Sequence, residues 1–455
     1  MDSTLQKITD FAFQLDYADL TPDAIHECKR RFIDSLACAI GGYSAEPCVI
    51  ARAVAGKASS TKTARVFGTL DRTIPELAAF ANGVMIRYLD LNDATGSGGG
   101  HPSDAFAALL ATVDHHKTDG RAFILSAVIV YELYLGFFAG NRIRNRGWDH
   151  VVYTALAAAA GIAKIMGLEH ARMANALSLA LTPTMALEVA RRGQLTMWKG
   201  CAGGNACRNA CRNAVFAVDL AAAGMTSPGL VFEGEQGVWN AAGKFDWPAL
   251  PGRHGHFRVA DSQLKIYPCE YHGQSPIEAM LAIRAQIDPQ EVEAIIVTTY
   301  WFAWSEIGSE PEKWHPTTRE TADHSIPFLV SAALLYGWVD AATYSQERMF
   351  DPRLRALMQK VKVVYDKELD KLQPQSVPCR LEVLLKNGER KQSNVDHPRG
   401  HIRNPASDED IEKKLAGLNN GLLSPRRVSR LLKLCWKLEE LADVAEVISL
   451  LRIQK

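Results

Sequence analysis

The segment 87–104 combines acidic, basic and amide side chains in a pattern that suits proton transfer beside a bound anion. It contains Asp90 and His101, with a glycine-rich stretch at 96–100 between them. These two residues could act as acid and base if the stretch folds back, and a helix beginning at Ser103 would direct free N–H groups towards an anion. The alternative is structural, because the same polar side chains could cap and satisfy a turn.

Two further segments hold one candidate each. His150 follows Trp148 and Asp149 just before an alanine-rich helix, where a protonated imidazole is disfavoured, so the ring could stay neutral. Lys199 lies between Trp198 and small residues, where a partly buried lysine could transfer a proton or contact an anion. A structural histidine and a surface lysine are the plainer interpretations of these two segments.

A fourth segment, 264–275, contains Lys265 and lies where the predicted elements change from helices alone to helices and strands. Junctions between domains are favoured places for pockets. Metal binding is not predicted, because Cys207 and Cys211 would share a helix face but have no CxxC pair or nearby histidine beside them. We therefore expect no metal and no other cofactor.

The elements that must position these residues are mostly helical in the first half of the chain. The segment 123–140 is the most apolar, but Glu132 in its middle indicates a buried helix and not a membrane span. Thr21 before Pro22 is a good helix start. Apolar residues recur at helical spacing over 8–15, 24–41, 74–88, 103–115, 122–138, 151–166, 169–181 and 203–223.

From about residue 265 the pattern becomes mixed. β-branched residues at 294–300 predict a strand, and alternation at 379–385 before Asn387-Gly388 predicts a hairpin. The predicted fold class is mainly α, with a large all-helical domain formed from both chain ends (1–264 and 404–455) and a smaller α+β lid domain inserted at 265–403. Further helices are predicted at 325–335, 352–361, 408–418 and 425–451.

Composition argues against several classes of function. The 455 residues include 51 Lys and Arg and 51 Asp and Glu, so the balanced charge gives no case for binding nucleic acid or an anionic membrane. The N-terminal segment lacks the cationic and then apolar pattern of a signal peptide. Nine scattered cysteines are typical of reduced thiols. We expect a cytoplasmic protein whose partner is a small molecule.

In order along the chain, the motifs resemble those of the MmgE/PrpD family over nearly the whole length. The family includes 2-methylcitrate dehydratases, cis-aconitate decarboxylases and iminodisuccinate epimerases, which all act at a carbon next to a carboxylate. Its fold is a helical domain with an α+β lid. The motifs that carry the resemblance are 87–93 with 101–104, 148–150, 198–200, 265–268, 319–325 and 398–400.

The resemblance implies a set of site residues and a homodimer formed through the helical domain. The positions that fall where the family keeps its active-site residues are Asp90, His101, His150, Lys199 and Lys265. The positions that we expect to bind a small polycarboxylate substrate are Tyr88, Asn92, Asp93, Thr95, Ser103, Tyr267, His272 and Arg399.

Within the family the sequence is most similar to the 2-methylcitrate dehydratase branch, because residues 267–272 resemble that branch's Tyr-Pro-Ala-Glu-Tyr/Phe-His. Ala202 stands where decarboxylases have a histidine, which argues against decarboxylation. Ala94, where the family commonly has threonine, and the glycine-rich stretch leave the dehydratase substrate open. We expect a hydro-lyase acting on 2-methylcitrate or a similar hydroxy-polycarboxylate. The alternatives are an imino- or amino-dicarboxylate epimerase, a cis-aconitate decarboxylase-like enzyme, and an inactive homologue that binds polycarboxylates.

Overall fold

The helices predicted in the first half are present, together with additional helices, the longest of them Glu46–Ala55; the predicted helix start at 203 lies outside the residues that the structure describes. The computed structural model describes residues 1–58, 63–95, 100–140, 143–184, 186–200 and 210–453. In the first part of the chain its helices span Ser3–Gln14, Pro22–Gly42, Glu46–Ala55, Pro75–Arg87, Phe106–Val113, Gly120–Gly140, Val152–Ile165, His170–Leu181, Met197–Gly200, Arg212–Ala222 and Val238–Ala242. The Thr21 hydroxyl accepts a hydrogen bond from the Ala24 N–H, which confirms the predicted cap.

The apolar helix Gly120–Gly140 is central to the first half. Its stretch Gly120–Ala139 is long and apolar enough to cross a membrane by length and composition, and 83% of its apolar window is buried inside the protein. Glu132, fully buried in its middle, forms an ion pair with Arg258 and accepts from the Arg258 N–H at 2.9 Å. The prediction of a buried helix is confirmed.

A four-stranded mixed sheet forms in the second half of the chain. Its strands are β3 (Val292–Thr299), β4 (Val361–Tyr365), β5 (Cys379–Leu385) and β6 (Arg390–Val395), and they lie in the order β4-β3-β5-β6. A short pair, β1 (Ala64–Arg65) and β2 (Arg72–Thr73), lies earlier in the chain. β3 runs parallel to β4 and antiparallel to β5. The predicted strand at 294–300 and the hairpin at Asn387-Gly388 are confirmed, and Gly388 adopts the positive φ of 85° that such a turn requires.

Helices accompany this sheet and continue to the C-terminus. They span Gln274–Ile283, Trp301–Ile307, Arg319–Ala322, Ile326–Tyr336, Gln346–Met349, Pro352–Met358, Lys367–Asp370, Asp408–Asn419, Pro425–Trp436 and Ala445–Leu450.

The two largest buried apolar clusters of the described residues lie in different parts of the chain. One draws its members from residues 5–264 and 406–451, and the other from residues 267–385. Ile266 packs against both clusters, so its neighbour Lys265 stands where they meet. The lid and the domain boundaries at 264 and 403 remain predictions.

Three predicted helices have different ends in the structure. The segment 425–451 is not one helix, because the helix ends at Trp436. Beyond it the chain bonds to the segment 118–120: the Gly120 N–H donates to the Leu441 carbonyl, and the Val444 N–H donates to the Thr118 carbonyl, at 2.9 Å each. The helix predicted at 352–361 ends at Met358, since Val361 pairs with Ile295 of β3. The helix predicted from Ser103 begins at Phe106, after a 3₁₀ turn over Pro102–Ala105.

Candidate active site

Asp90 lies at the centre of a buried cluster of charged side chains. It follows the helix Pro75–Arg87 and has a φ of 51°, a left-handed conformation that residues other than glycine rarely adopt. Arg87 Nη1 lies 2.6 Å from Asp90 Oδ1, and Lys199 Nζ lies 2.9 Å from Oδ2. Lys265 Nζ contacts Oδ1 and also donates to the Asp90 carbonyl at 2.9 Å. One carboxylate therefore holds three cationic groups together.

These cations determine the protonation state of Asp90. Burial alone would raise the pKa of its carboxyl group, but the charges of Arg87, Lys199 and Lys265 outweigh burial and hold the pKa well below its ordinary value. The group is therefore an ion-paired carboxylate at neutral pH. Its contacts position the two lysines, and its part in acid–base chemistry stays a prediction.

Lys265 reaches Asp90 through a backbone connection between distant segments. Ala94 and Gln263 form an antiparallel bridge, in which each N–H donates to the other carbonyl at 2.8 Å. The bridge brings the segment after Asp90 alongside the segment that leads into Lys265. The Lys265 side chain is fully buried and also donates to the Cys269 carbonyl at 3.1 Å.

Lys199 links Asp90 to a second carboxylate. Its side chain is 1% exposed, and Nζ donates to Asp323 Oδ1 at 2.9 Å. Asp323 follows the short helix Arg319–Ala322, which Thr318 caps by accepting from the Thr321 N–H. The predicted alternative of a surface lysine is wrong, because this side chain is buried between two carboxylates.

Two more side chains complete the surroundings of Asp323. His324 Nδ1 lies 2.6 Å from Oδ1, and Arg319 Nη1 lies 3.5 Å from Oδ2. Burial and then the charge of Lys199 lower the pKa of His324 to about 4. His324 is therefore neutral at pH 7 and donates to Asp323 from Nδ1.

His101 is held at three points. Its Nδ1 lies 2.6 Å from the Asp93 carbonyl oxygen, its Nε2 lies 2.7 Å from Arg87 Nη2, and its backbone N–H donates to Tyr134 Oη at 3.0 Å. Burial, and then the charges of Arg87 and Lys265, hold the pKa of His101 well below its ordinary value. The ring is therefore neutral and carries its proton on Nδ1, because a carbonyl oxygen can only accept.

His150 lies beside His101, and the Tyr134 hydroxyl contacts both residues. Its Nδ1 lies 3.1 Å from Tyr134 Oη, and its Nε2 lies 2.9 Å from Arg191 Nη2. The two imidazole centroids are 5.6 Å apart. Arg191 is in turn held by Asp149, which accepts from its Nε at 2.8 Å and from its Nη2 at 3.1 Å. The site thus places two imidazoles beside a cluster of cations.

Four of the expected substrate-binding residues form the scaffold of the His101 turn. Asn92 Nδ2 donates to Ser103 Oγ at 2.8 Å, and the Ser103 N–H donates to Asp93 Oδ1 at 3.2 Å. Thr95 and Gly100 bond to each other across the glycine-rich stretch, at 2.9 Å and 3.2 Å. Residues 96–99 of that stretch lie outside the described residues. These contacts stabilise the turn, and the expected contacts of the four side chains with a substrate stay a prediction.

The other four expected residues lie in different environments. The Tyr88 ring lies 4.4 Å from the Arg319 guanidinium, which connects it to the Asp323 side of the cluster. Tyr267, a member of the second apolar cluster, packs against the exposed Trp338, and buried His272 is hydrogen-bonded to Tyr300. The side chain of Arg399 is 43% exposed and donates to Asp410 at 3.2 Å. The guanidinium forms a surface ion pair, and its expected role in substrate binding stays a prediction.

A metal ion has one candidate position among the described residues. Ligand atoms of Asp90, Asp323 and His324 lie within 4.8 Å of one another. Lys199 Nζ already lies 2.9 Å from each of the two carboxylates, so an ammonium group supplies the positive charge that a metal would bring. The spacing of residues in the sequence did not predict this group.

Several residues that shape the site were not assigned a role from the sequence. Asp149 lies in the motif 148–150, and Asp323 and His324 lie in the motif 319–325, so the sequence contained a signal for these three residues. Arg191 and Tyr134 had no such signal: Arg191 follows no recognised motif, and Tyr134 lies within the apolar helix Gly120–Gly140.

Comparison with known proteins identifies the family that this site belongs to. The family model of the MmgE/PrpD N-terminal domain matches residues 6–247, and that of the MmgE/PrpD C-terminal domain matches residues 267–438. The chain therefore belongs to the MmgE/PrpD family, as the motifs indicated.

The relatives include enzymes with two different names. The chain is 29% identical to a 2-methylcitrate dehydratase of Cupriavidus necator over 433 residues, covering 89% of this chain and 87% of the relative. It is 27% identical to the 2-methylcitrate dehydratase of Salmonella typhimurium over 431 residues, covering 89% and 87%. It is 26% identical to the human cis-aconitate decarboxylase over 463 residues, covering 96% and 92%.

Proposed function

We propose that the protein is a hydro-lyase that eliminates water from 2-methylcitrate or a closely similar hydroxy-polycarboxylate. The observation that carries the proposal is the placement of two histidines, with centroids 5.6 Å apart, beside the cations gathered on Asp90. The similarity to proteins named 2-methylcitrate dehydratase supports this choice of substrate.

The chemistry follows from the acidity of the substrate. A proton on the carbon next to a carboxylate is weakly acidic, so its removal needs a positioned base and cations that stabilise the developing negative charge. A neutral imidazole of His101 or His150 takes the proton, and the electron pair of the broken C–H bond forms the new double bond. The C–O bond of the hydroxyl on the neighbouring carbon breaks, and a proton from an ammonium group of Lys199 or Lys265 completes the water molecule.

The cations of the site suit this role. Lys199 and Lys265 are buried and ion-paired, so their positions are already set before the substrate arrives. Electrostatic groups that need no reorganisation during the reaction stabilise a transition state most effectively. We propose that catalysis needs no metal or other cofactor.

We also propose that the protein is a homodimer. Light scattering at micromolar concentration would then show twice the chain mass of 50.0 kDa.

Two other activities of the family are alternatives that one experiment separates. The purified protein is incubated in heavy water with a panel of polycarboxylates and followed by NMR, with Lys199→Ala as the inactive control. Loss of water from 2-methylcitrate supports the proposal. Deuterium exchange with inversion alone would show an epimerase, and release of carbon dioxide from cis-aconitate would show a decarboxylase. Binding without any exchange would show an inactive homologue.

A further inference from the structure

Each of the two site histidines meets an arginine at the nitrogen that a base would use. Arg87 Nη2 lies 2.7 Å from His101 Nε2, and Arg191 Nη2 lies 2.9 Å from His150 Nε2. A guanidinium group stays protonated in proteins and can only donate hydrogen bonds. Each Nε2 is therefore an acceptor whose lone pair is engaged by a cation; Asp149 Oδ1 lies farther from His150 Nε2, at 3.5 Å.

This arrangement holds the histidines in the right protonation state but prevents them from acting. A neutral ring with a proton on Nδ1 has its only basic lone pair on Nε2. That lone pair must point at the substrate's C–H bond during proton abstraction, within hydrogen-bond reach of the proton. The arginine has to leave Nε2 before the base can work.

We propose that Arg87 and Arg191 are the carboxylate-binding residues of the site, and that two substrate carboxylates take the arginines away from the Nε2 atoms of His101 and His150. The inference rests on the proposed function, since it takes a polycarboxylate as the substrate. Binding of the substrate then exposes the base that attacks it, and a compound with too few carboxylates leaves the base blocked.

The relative strengths of the hydrogen bonds favour this exchange. Arginine and carboxylate form charge-assisted and often paired hydrogen bonds, which are roughly twice as strong as those between neutral groups. An imidazole nitrogen offers the guanidinium one neutral acceptor, whereas a carboxylate offers two charged oxygens. A buried arginine therefore prefers the incoming carboxylate once that carboxylate has lost its hydration water.

Both arginines are anchored so that they can change partner without leaving the site. Asp149 accepts from Nε and Nη2 of Arg191, and Asp90 accepts from Nη1 of Arg87. The arginine side chains are 7% and 2% exposed. Each arginine therefore keeps a carboxylate partner in the protein when the hydrogen bond from its Nη2 to the imidazole is broken.

The test uses propane-1,2,3-tricarboxylate, which has no hydroxyl group and cannot lose water. The protein is labelled with ¹⁵N in its histidine rings, and His101→Asn and His150→Asn variants assign the signals. In the free protein the Nε2 signals of both histidines should be those of unprotonated, hydrogen-bonded nitrogens. Binding of the tricarboxylate should change both signals, whereas an equal concentration of propionate should not.

Variants of the arginines test the binding step separately. Arg87→Gln and Arg191→Gln should each weaken tricarboxylate binding by about ten- to hundredfold, measured by calorimetry, since each loses charge-assisted hydrogen bonds. Arg191→Lys should retain part of the affinity, and Arg390→Gln, which changes a 63% exposed side chain, should retain all of it. If Arg191→Gln fails to fold, Arg191→Lys and the NMR measurement on the unaltered protein still decide the question.

The outcomes separate this inference from the proposed function. Unchanged Nε2 signals on binding, full affinity in the Gln variants, or no binding of the tricarboxylate would each overturn the inference, even if 2-methylcitrate is dehydrated. Changed signals and weakened binding in a protein that leaves 2-methylcitrate intact would support the carboxylate role of the arginines and overturn the hydro-lyase.

Discussion

Lys199 donates a hydrogen bond to Asp90 at 2.9 Å across 109 positions of the sequence. Both side chains are buried, and the same ammonium group also binds Asp323. This contact joins three separate motifs into one charged cluster. It also explains why a lysine can be buried here, because its charge is balanced by two carboxylates.

Removal of either lysine should abolish most of the activity. Lys199→Ala and Lys265→Ala should each lower the turnover of 2-methylcitrate by about 100-fold or more, because a cation is lost where negative charge develops. Steady-state kinetics and circular dichroism measure the effect and check the fold. Lys413→Ala, at a 68% exposed side chain paired with Glu409, is the matched control and should keep full turnover. Turnover close to normal in a folded Lys199→Ala or Lys265→Ala protein would remove that lysine from the mechanism.

Tyr134 should act as a positioning residue for the two histidines. Tyr134→Phe removes the oxygen that accepts from the His101 N–H at 3.0 Å and lies 3.1 Å from His150 Nδ1. We expect kcat to fall by about tenfold with little change in KM, and the pH profile of kcat to move, because one imidazole loses its partner. Tyr365→Phe, which loses a surface hydrogen bond to Asp370, is the control. A normal kcat and pH profile in Tyr134→Phe would contradict this role.

The buried neutral histidines should make the fold sensitive to acid. The pKa of His324 is lowered from 6.5 to about 4 by burial and by Lys199, so the imidazole takes up its proton at a lower pH in the folded protein than in the unfolded chain. Because the pKa is lower in the folded state, the neutral His324 contributes its full stability above about pH 6.5, and this contribution is lost as the pH falls towards 4. The shift corresponds to about 3 kcal/mol in the free energy of unfolding.

Urea denaturation at several pH values between 7 and 4 measures this dependence. His324→Gln should reduce the loss of stability over that range, whereas His256→Gln, at a 66% exposed side chain, should not. An identical pH dependence in the His324→Gln protein and the unaltered protein would show that His324 does not contribute.

Activity should survive treatment with EDTA. The carboxylates of Asp90 and Asp323, which with His324 form the candidate metal position among the described residues, are already ion-paired with Lys199. Turnover is measured before and after dialysis against the chelator, with the metal content checked by elemental analysis. Activity that is lost on chelation and restored by an added divalent metal would overturn the metal-free proposal.

Local patterns in the sequence predicted the elements well where local forces decide them. The alternation at Cys379–Leu385 matches a strand with alternately buried residues, and Thr21 caps its helix as expected. The predicted helix at 425–451 failed because its break depends on contacts with residues 118–120, which are far away in the sequence. Helical spacing alone carries no information about such contacts.

The same distinction holds for the site. Asp90, His101, His150, Lys199 and Lys265 were predicted through motifs, and the structure brings all five into one network. The arginine partners of the two histidines were not predicted, because Arg191 meets His150 from 41 positions away. Arg399 was assigned to the site through its motif, but its side chain lies at the surface with Asp410.

The most direct test of the central claim is the addition of water to 2-methylaconitate in heavy water, followed by NMR. A hydro-lyase that uses a histidine base must return a deuteron from that base to carbon, so the 2-methylcitrate formed should carry one deuterium in one configuration. The His101→Asn and His150→Asn variants should lose this activity by about 100-fold or more when the altered residue is the base. Failure of the folded protein to form 2-methylcitrate, or normal activity in both the His101→Asn and the His150→Asn variants, would contradict the account.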